Sequence, residues 1–453
     1  MQINWQQFGL KTNPYDTLPL VEGGELSLEN AFIGRENERK TLNDLFGSEN
    51  NVCLTVCGDT GVGKTSLANF HKFIWKYSSK KLLFSCRREI EASDTILNKQ
   101  SFLLEIIGSV LREIELLEPK LLENPMLSKL NVIIDFTQML SISGGISANF
   151  AGFGGGFNLA REKNNSIPPK LTTASLEQHL VNLIGFIKTK TIGGRQYQGL
   201  IIHVNNFDVV LREEDKRKKV ITFFDEIRDI LQTKDVYFLF LGPSDFYSQV
   251  IAPEKRIKSI FVRTPLLIKP LNKKEVANAF EKRMGLLKSP DVAQYIKPIS
   301  DEVVFRLYDL YDGDIRSIMT GVKDILGQCS DKLLQTLSMN EAMTLLGRER
   351  WEKISNLLTK EQQKILKFLV KNDKYISTKE ASDILKKPSS NLSRYYFKPL
   401  KDLDVIEEKE RSGKMIYLGL TVEYQPLKWW FESEGGIKKD ISNAQAKQSK
   451  LFD

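Results

Sequence analysis

Eight consecutive residues, Gly58-Asp59-Thr60-Gly61-Val62-Gly63-Lys64-Thr65, constrain this chain more than any others. They fill every fixed position of the phosphate-loop pattern G-x-x-x-x-G-K-[ST], which needs a buried strand before it and a helix after it. Both are legible. Residues 52–56 form an apolar run of strand length, and 65–77 carry helical spacing. Glycines let backbone N–H groups curl around phosphate oxygens, helped by the positive end of the following helix. Gly58 to Thr65, with Ser66 behind them, are therefore the candidate nucleotide-binding residues. Lys64 is placed to reach the β and γ phosphates of ATP, and the Thr65 hydroxyl to hold Mg²⁺. The competing reading is a tight strand–helix turn with no ligand.

A phosphate loop implies a parallel α/β core, and the rest of the first 270 residues agrees. A helix is expected over 36–46, strands over 82–86, 200–204, 236–241 and 266–269, and helices over 176–188 and 218–231. Continuous apolar runs such as Val236-Tyr237-Phe238-Leu239-Phe240-Leu241 suit strands buried on both faces. Strands alternating with helices argue for a three-layer α/β sheet. A long insertion, about 88–195, falls before the third strand. It has helical stretches near 94–117 and 127–140 and a Gly-rich tract at 143–156. There Ile146, Phe150 and Phe153 are interleaved with small residues, as in a hairpin that packs on its own domain or inserts into a partner. Residues 1–30 read as an extended arm, 31–270 as the nucleotide core, 271–357 as all-helical, 358–425 as a third domain and 426–453 as a flexible tail.

Composition excludes several classes. The 453 residues include four cysteines and three histidines, too few for a disulfide framework or a histidine-built metal site. No apolar run approaches the ~20 residues of a membrane span, and the first ten residues lack a secretory signal. A cytoplasmic protein is expected. The net charge of +8 permits a nucleic-acid partner without demanding one.

The third core strand, Leu200-Ile201-Ile202-His203-Val204, ends in Asn205-Asn206-Phe207-Asp208. Nucleotide hydrolases of this class place here one acid for the Mg²⁺ shell and a second to polarise the attacking water. Both positions are amides, which carry no charge and cannot act as a base. Asp208 is acidic but lies three residues further on; it is a catalytic candidate, with a cap for the next segment as the plainer reading. The pattern predicts nucleotide binding with slow turnover.

Phe32-Ile33-Gly34-Arg35-Glu36-Asn37-Glu38 resembles the F-x-G-R-E-x-E box ahead of the phosphate loop in AAA+ ATPases of the origin-recognition initiator group. Gly313-Asp314-Ile315-Arg316 is similar to their sensor 2 motif. Phe8-Gly9-Leu10 with Asn13-Pro14-Tyr15 resembles the opening of transposon target-selection ATPases. The resemblance spans roughly residues 8–421 and departs from the family at Asn205 and Asn206. It implies an AAA+ core, a helical lid and a C-terminal winged helix, assembly into homo- or hetero-oligomers, and Arg316 reaching the nucleotide from the lid. It also implies a trans-acting arginine finger at Arg256 and a sensor 1 residue at Ser244 or Asp245. Duller roles compete at each: a surface salt bridge for Arg316, a solvated basic cluster for Arg256, an ordinary turn at Ser244.

Residues 361–370, 378–386 and 389–403 read as three helices, followed by two strands turning at Ser412-Gly413. If Leu392, Tyr396 and Leu400 face inward, then Ser390, Asn391, Arg394, Tyr395 and Lys398 face outward. Short polar residues followed by Arg and Lys suit base edges and phosphates of double-stranded DNA. Arg411 and Lys414 at the strand turn suit a flanking phosphate. A protein-docking module is the alternative. At the end of the chain, Gln448, Leu451 and Phe452 resemble the Q-x-x-L-F peptide that docks into bacterial sliding clamps.

The expectation is an ATP-binding switch that holds DNA, in replication initiation, transposition or mobile-element defence. A nucleotide-gated signalling scaffold is the alternative, and a working motor or loader a third reading.

Overall fold

The computed structural model describes residues 3–131, 133, 134, 137, 171–329, 335–372, 375–412 and 415–433. The Gly-rich tract, Lys414, Gln448, Leu451 and Phe452 lie outside them, and the side chains of Ser390 and Arg411 are likewise outside the description. The chain divides into two units, Pro19–Lys269 and Met1–Leu18 with Pro270–Asp453.

The first unit is built on three long buried strands, β1 (Val52–Cys57), β6 (Leu200–Asn205) and β7 (Val236–Gly242). Between β1 and β6 come the two-residue strands β2 (Phe84–Ser85) and β3 (Ile90–Glu91) and the hairpin β4 (Thr191–Ile192) and β5 (Arg195–Gln196). A last short strand, β8 (Leu266–Leu267), follows β7. The main sheet runs β2-β6-β7-β1-β8, with β3 also on β6. Every pairing in it is parallel.

Parallel strands need coverage on both faces, and alternate residues supply it. Val52, Leu54 and Val56 of β1, with Leu239 and Leu241 of β7, pack in one cluster with Leu67 and Trp75 of helix α2 (Lys64–Tyr77) and Phe46 of helix α1 (Glu36–Ser48). Phe238 and Phe240 instead enter the opposite cluster, with helices α3 (Lys99–Leu117), α4 (Thr173–Thr189) and α5 (Glu214–Glu226). This is the expected three-layer α/β P-loop core.

A buried ionic network ties this unit together. Lys76 of α2 donates to Glu113 of α3 at 2.7 Å, and both side chains are almost fully enclosed. Glu22 of the N-terminal segment lies 3.3 Å from Lys76, and Arg87 reaches both carboxylates at 3.2 Å. Tyr77 donates to Glu22 at 2.5 Å.

The second unit is helical up to residue 372 and contains α6 (Lys273–Leu286), α7 (Asp301–Leu310), α8 (Ile315–Gly327), α9 (Met339–Ile354) and α10 (Lys360–Asn372). The N-terminal segment is less extended than its sequence suggests. It forms a 3-10 turn, Trp5–Phe8, and buries Phe8, Leu10 and Tyr15 among residues of α6, α7 and α8. Arg283 of α6 fixes this segment by donating to the carbonyls of Pro14 and Asp16.

Beyond α10 lie β9 (Ile376–Ser377), α11 (Thr378–Leu385) and α12, which starts as Ser389–Leu392, passes through a π-helical turn at Ser393–Phe397 and ends as Lys398–Asp402. Strands β10 (Ile406–Ser412) and β11 (Met415–Leu420) complete an antiparallel sheet of order β10-β11-β9. Residues 427–433, read as the start of a tail, are helical, with Leu427 buried and Phe431 edge-on to Trp351 at 5.0 Å.

Boundaries moved where local chemistry intervened. The helix expected from 94 starts at Lys99 because the Asn98 side chain caps it, accepting from Ser101 N–H. The helix expected over 218–231 begins at Glu214 and breaks near Ile227.

Candidate nucleotide site and candidate nucleic-acid face

The phosphate loop leaves β1 at Gly58. That glycine is required, since a Cβ there would sit 2.5 Å from the Ile268 carbonyl oxygen. Gly61 and Gly63 take left-handed φ values of 79° and 93°, which a side chain would strain. Gly63 is the N-cap of α2 and offers no side chain to its first turn. The N–H groups of that turn therefore need an outside acceptor, the condition for anion binding at a helix N-terminus. Lys64 is 9% exposed, and its Nζ donates to the carbonyls of Gly58 at 2.8 Å and Asp59 at 2.9 Å. Asp59 and Thr60 are exposed, and Val62 is buried.

Three side chains brace the loop, and Ser66 behind it anchors the N-terminal segment. Arg35, left-handed at φ 67° after Gly34, donates to the carbonyls of Val62 at 2.7 Å and Lys269 at 2.5 Å and pairs with Glu38 at 3.3 Å. Ser244, just past β7, donates to the Asp59 carboxylate, so the sensor 1 candidate does touch the loop. The hydroxyl of Ser66 accepts from the N–H of Leu20 at 3.3 Å. The Asn205 amide, at the end of β6, donates to the Thr65 hydroxyl at 3.0 Å.

Asn205 thus occupies the place expected for the metal-shell acid and touches the expected metal ligand. Asn206 is left-handed, φ 67°, and is the N-cap of the short helix Phe207–Val210. This corrects the capping role expected of Asp208, which lies inside that helix's first turn. One carboxylate went unnoticed in the sequence. Parallel register pairs Glu91 of β3 with Asn205, which puts the two side chains on one face of the sheet, one strand apart. No periodicity signals a two-residue strand, so nothing in the sequence pointed to it.

Beneath the site, His203 of β6 and Lys72 of α2 are buried. Burial, and then the neighbouring Lys72 charge, holds the His203 imidazole well below its ordinary range. Lys72 is itself pushed down by burial and donates to the Cys86 and Arg87 carbonyls. Among the described residues no group of three or more His, Cys, Asp or Glu is arranged to hold a metal ion.

The finger candidate Arg256 is exposed on the short helix Lys255–Lys258. In the other unit, Asp314 caps α8 by accepting from the N–H groups of Arg316 and Ser317, which sets Arg316 in the first turn, exposed. Gly313 before it is left-handed at φ 75°, and a Cβ there would lie 2.7 Å from Pro270.

On α12, Leu392, Phe397 and Leu400 are buried and Tyr396 is half-buried, while Asn391, Arg394, Tyr395 and Lys398 are exposed. The π-helical turn adds Phe397 to the inward set. The Arg394 guanidinium stacks 5.7 Å from the Tyr395 ring. The outward row of polar and basic side chains is therefore formed as the periodicity implied.

No family model matches the chain, and no curated protein does. Solved structures do resemble it. The ORC2 protein of Aeropyrum pernix, in ADPNP and ADP complexes, aligns with a TM-score of 0.46 and 13% identity over 96% of this chain and 100% of that one. The ORC1 protein of Aeropyrum pernix in complex with DNA gives 0.41 and 13%, over 88% and 93%. Cdc6p of Pyrobaculum aerophilum gives 0.39 and 14%, over 88% and 94%.

Proposed function

We propose that the chain is an ATP-binding switch of the AAA+ kind that holds double-stranded DNA through its C-terminal domain, read as a winged helix. The observation that carries it is the braced phosphate loop: an uncapped helix N-terminus, a buried lysine at its mouth and an amide in place of the expected acid on Thr65. Such a site holds triphosphate through N–H groups and one ammonium. It has little means of polarising water at the end of β6, so turnover is slow and the bound nucleotide acts as a signal.

DNA is assigned to α12 and the strand turn beyond it. Asn391, Arg394, Tyr395 and Lys398 are exposed along one side of α12, and Ser390, Arg411 and Lys414 are assigned to the same surface from the sequence. The polar and basic composition of that row, rather than the domain's shape, supports a phosphate-tracking surface. Arg256 is assigned to a neighbouring copy's nucleotide, Arg316 to the lid, and Gln448, Leu451 and Phe452 to a sliding clamp. The task fits replication initiation, transposition or mobile-element defence.

One observation favours a second reading. Tyr395 is 56% exposed in the middle of the α12 face, as suits an aromatic anchor for a protein partner. Duplex affinity measured across a salt series separates the two. A steep fall with salt supports DNA, and a flat, weak response moves α12 to protein docking.

A further inference from the structure

The nucleotide site is poor at holding a divalent cation. Loops of this kind place Mg²⁺ between the Ser/Thr hydroxyl after the lysine and the phosphate oxygens, with a carboxylate from the third strand behind it. Thr65 supplies the hydroxyl, but the group beside it at the end of β6 is the neutral Asn205 amide, 3.0 Å away. Either end of an amide is neutral, so the loss of charge does not depend on which atom faces the hydroxyl. The next residue, Asn206, is neutral too. Of the loop's own acid, the Asp59 carboxylate is engaged by Ser244. Among the described residues, Glu91 is the acid in register with Asn205, one strand away and about 5 Å across the sheet. No arrangement of three metal-binding side chains compensates among the described residues.

From this misfit we propose that the chain binds ATP with an affinity nearly independent of Mg²⁺, the phosphates being held by the loop N–H groups and Lys64. The proposal rests on the nucleotide reading above. Hydrogen-bonded carboxylates behind a metal ligand typically contribute about 10–100-fold in metal affinity, and that contribution is absent here. The consequence is a switch set by the nucleotide alone and indifferent to free divalent concentration.

Calorimetric titration of the full chain with ATP, in excess Mg²⁺ and in EDTA, is the test. Wild type should give dissociation constants within about threefold of each other, and Asn205→Asp should open a gap of about 10-fold or more in favour of Mg²⁺. Glu91→Gln should leave the wild-type ratio unchanged. A wild-type ratio above about 10-fold overturns the proposal, and its loss in Glu91→Gln would then name Glu91 as the acid that supplies the charge. Absence of binding in both buffers overturns the nucleotide reading itself, and the proposal with it. Asn205→Gln, which keeps the neutral amide, should retain the small ratio. A large Mg²⁺ dependence in that variant would also contradict the proposal.

Discussion

The phosphate loop and helix α12 carry their polar side chains in opposite ways. Around the loop, nearly every functional group is held by the protein: Lys64 by two carbonyls, Thr65 by Asn205, Ser66 by Leu20, Asp59 by Ser244. On α12, Asn391, Arg394, Tyr395 and Lys398 stand in solvent, with a stacking contact between Arg394 and Tyr395. A small ligand with fixed phosphate geometry rewards prearranged partners. A long, uniformly charged polymer needs a row of cations whose release of counterions supplies the affinity. The two regions should therefore fail differently, one through geometry and one through charge.

The sharpest break is Lys64→Ala. Losing the one ammonium in the loop should weaken ATP binding about 100-fold, read by calorimetry, while duplex affinity in the absence of nucleotide stays within about twofold. Loss of both would mean that the variant disturbs more than the loop.

Next comes the buried ionic network at the far end of α2. Glu113→Ala leaves Lys76 buried with Glu22 as its remaining acid, and removing one member of a buried pair costs about 3–5 kcal/mol. Chemical denaturation should show that loss. A change below about 1 kcal/mol would place the network among the weak surface pairs. The equivalent cut on α12, Arg394→Ala, should leave stability within about 0.5 kcal/mol.

Replacing Arg394, Lys398, Arg411 and Lys414 together by Ala should flatten the logarithmic salt dependence of duplex binding by up to about four charges' worth. Unchanged affinity and slope would leave α12 to a protein partner.

The last contrast concerns pH. Burial, then the charge of Arg39, lowers His71 on α2 from 6.5 to about 3. The unfolded chain takes up a proton below pH 6.5 and the folded one does not until about pH 3. Stability should thus fall as pH drops through that window, by about 1.4 kcal/mol per pH unit for this histidine. His71→Phe should remove that part of the slope in acid denaturation. A slope that is identical in the variant would mean that His71 does not carry it.

Much of the core could be read directly. Strands β1, β6 and β7 announce themselves as continuous apolar runs because both their faces are covered. The inward face of α12 follows from helical spacing, although the π turn, which brings Phe397 inside, has no sequence signature. Two-residue strands such as β3 and β9 have no period to detect. Contacts between distant residues were equally hidden. Asn205 and Asn206 were legible as amides in place of acids, but not the bond across 140 positions to Thr65. Arg35 was legible as part of a motif, but not its hold on the Val62 and Lys269 carbonyls. Asn206 takes the N-cap position of the helix Phe207–Val210 on a left-handed backbone that only the fold imposes, with no side-chain cap bond, and Asp208 falls in the first turn instead.

The central claim is that this site binds ATP without turning it over at an enzyme's usual pace. Steady-state phosphate release by the full chain, with saturating ATP, Mg²⁺ and duplex DNA, tests it most directly. Wild type should run far below the ordinary enzyme median of about 10 per second, and Asn205→Asp with Asn206→Glu should run faster than wild type. Wild-type turnover at or above that median, unchanged by restoring the two acids, would contradict it.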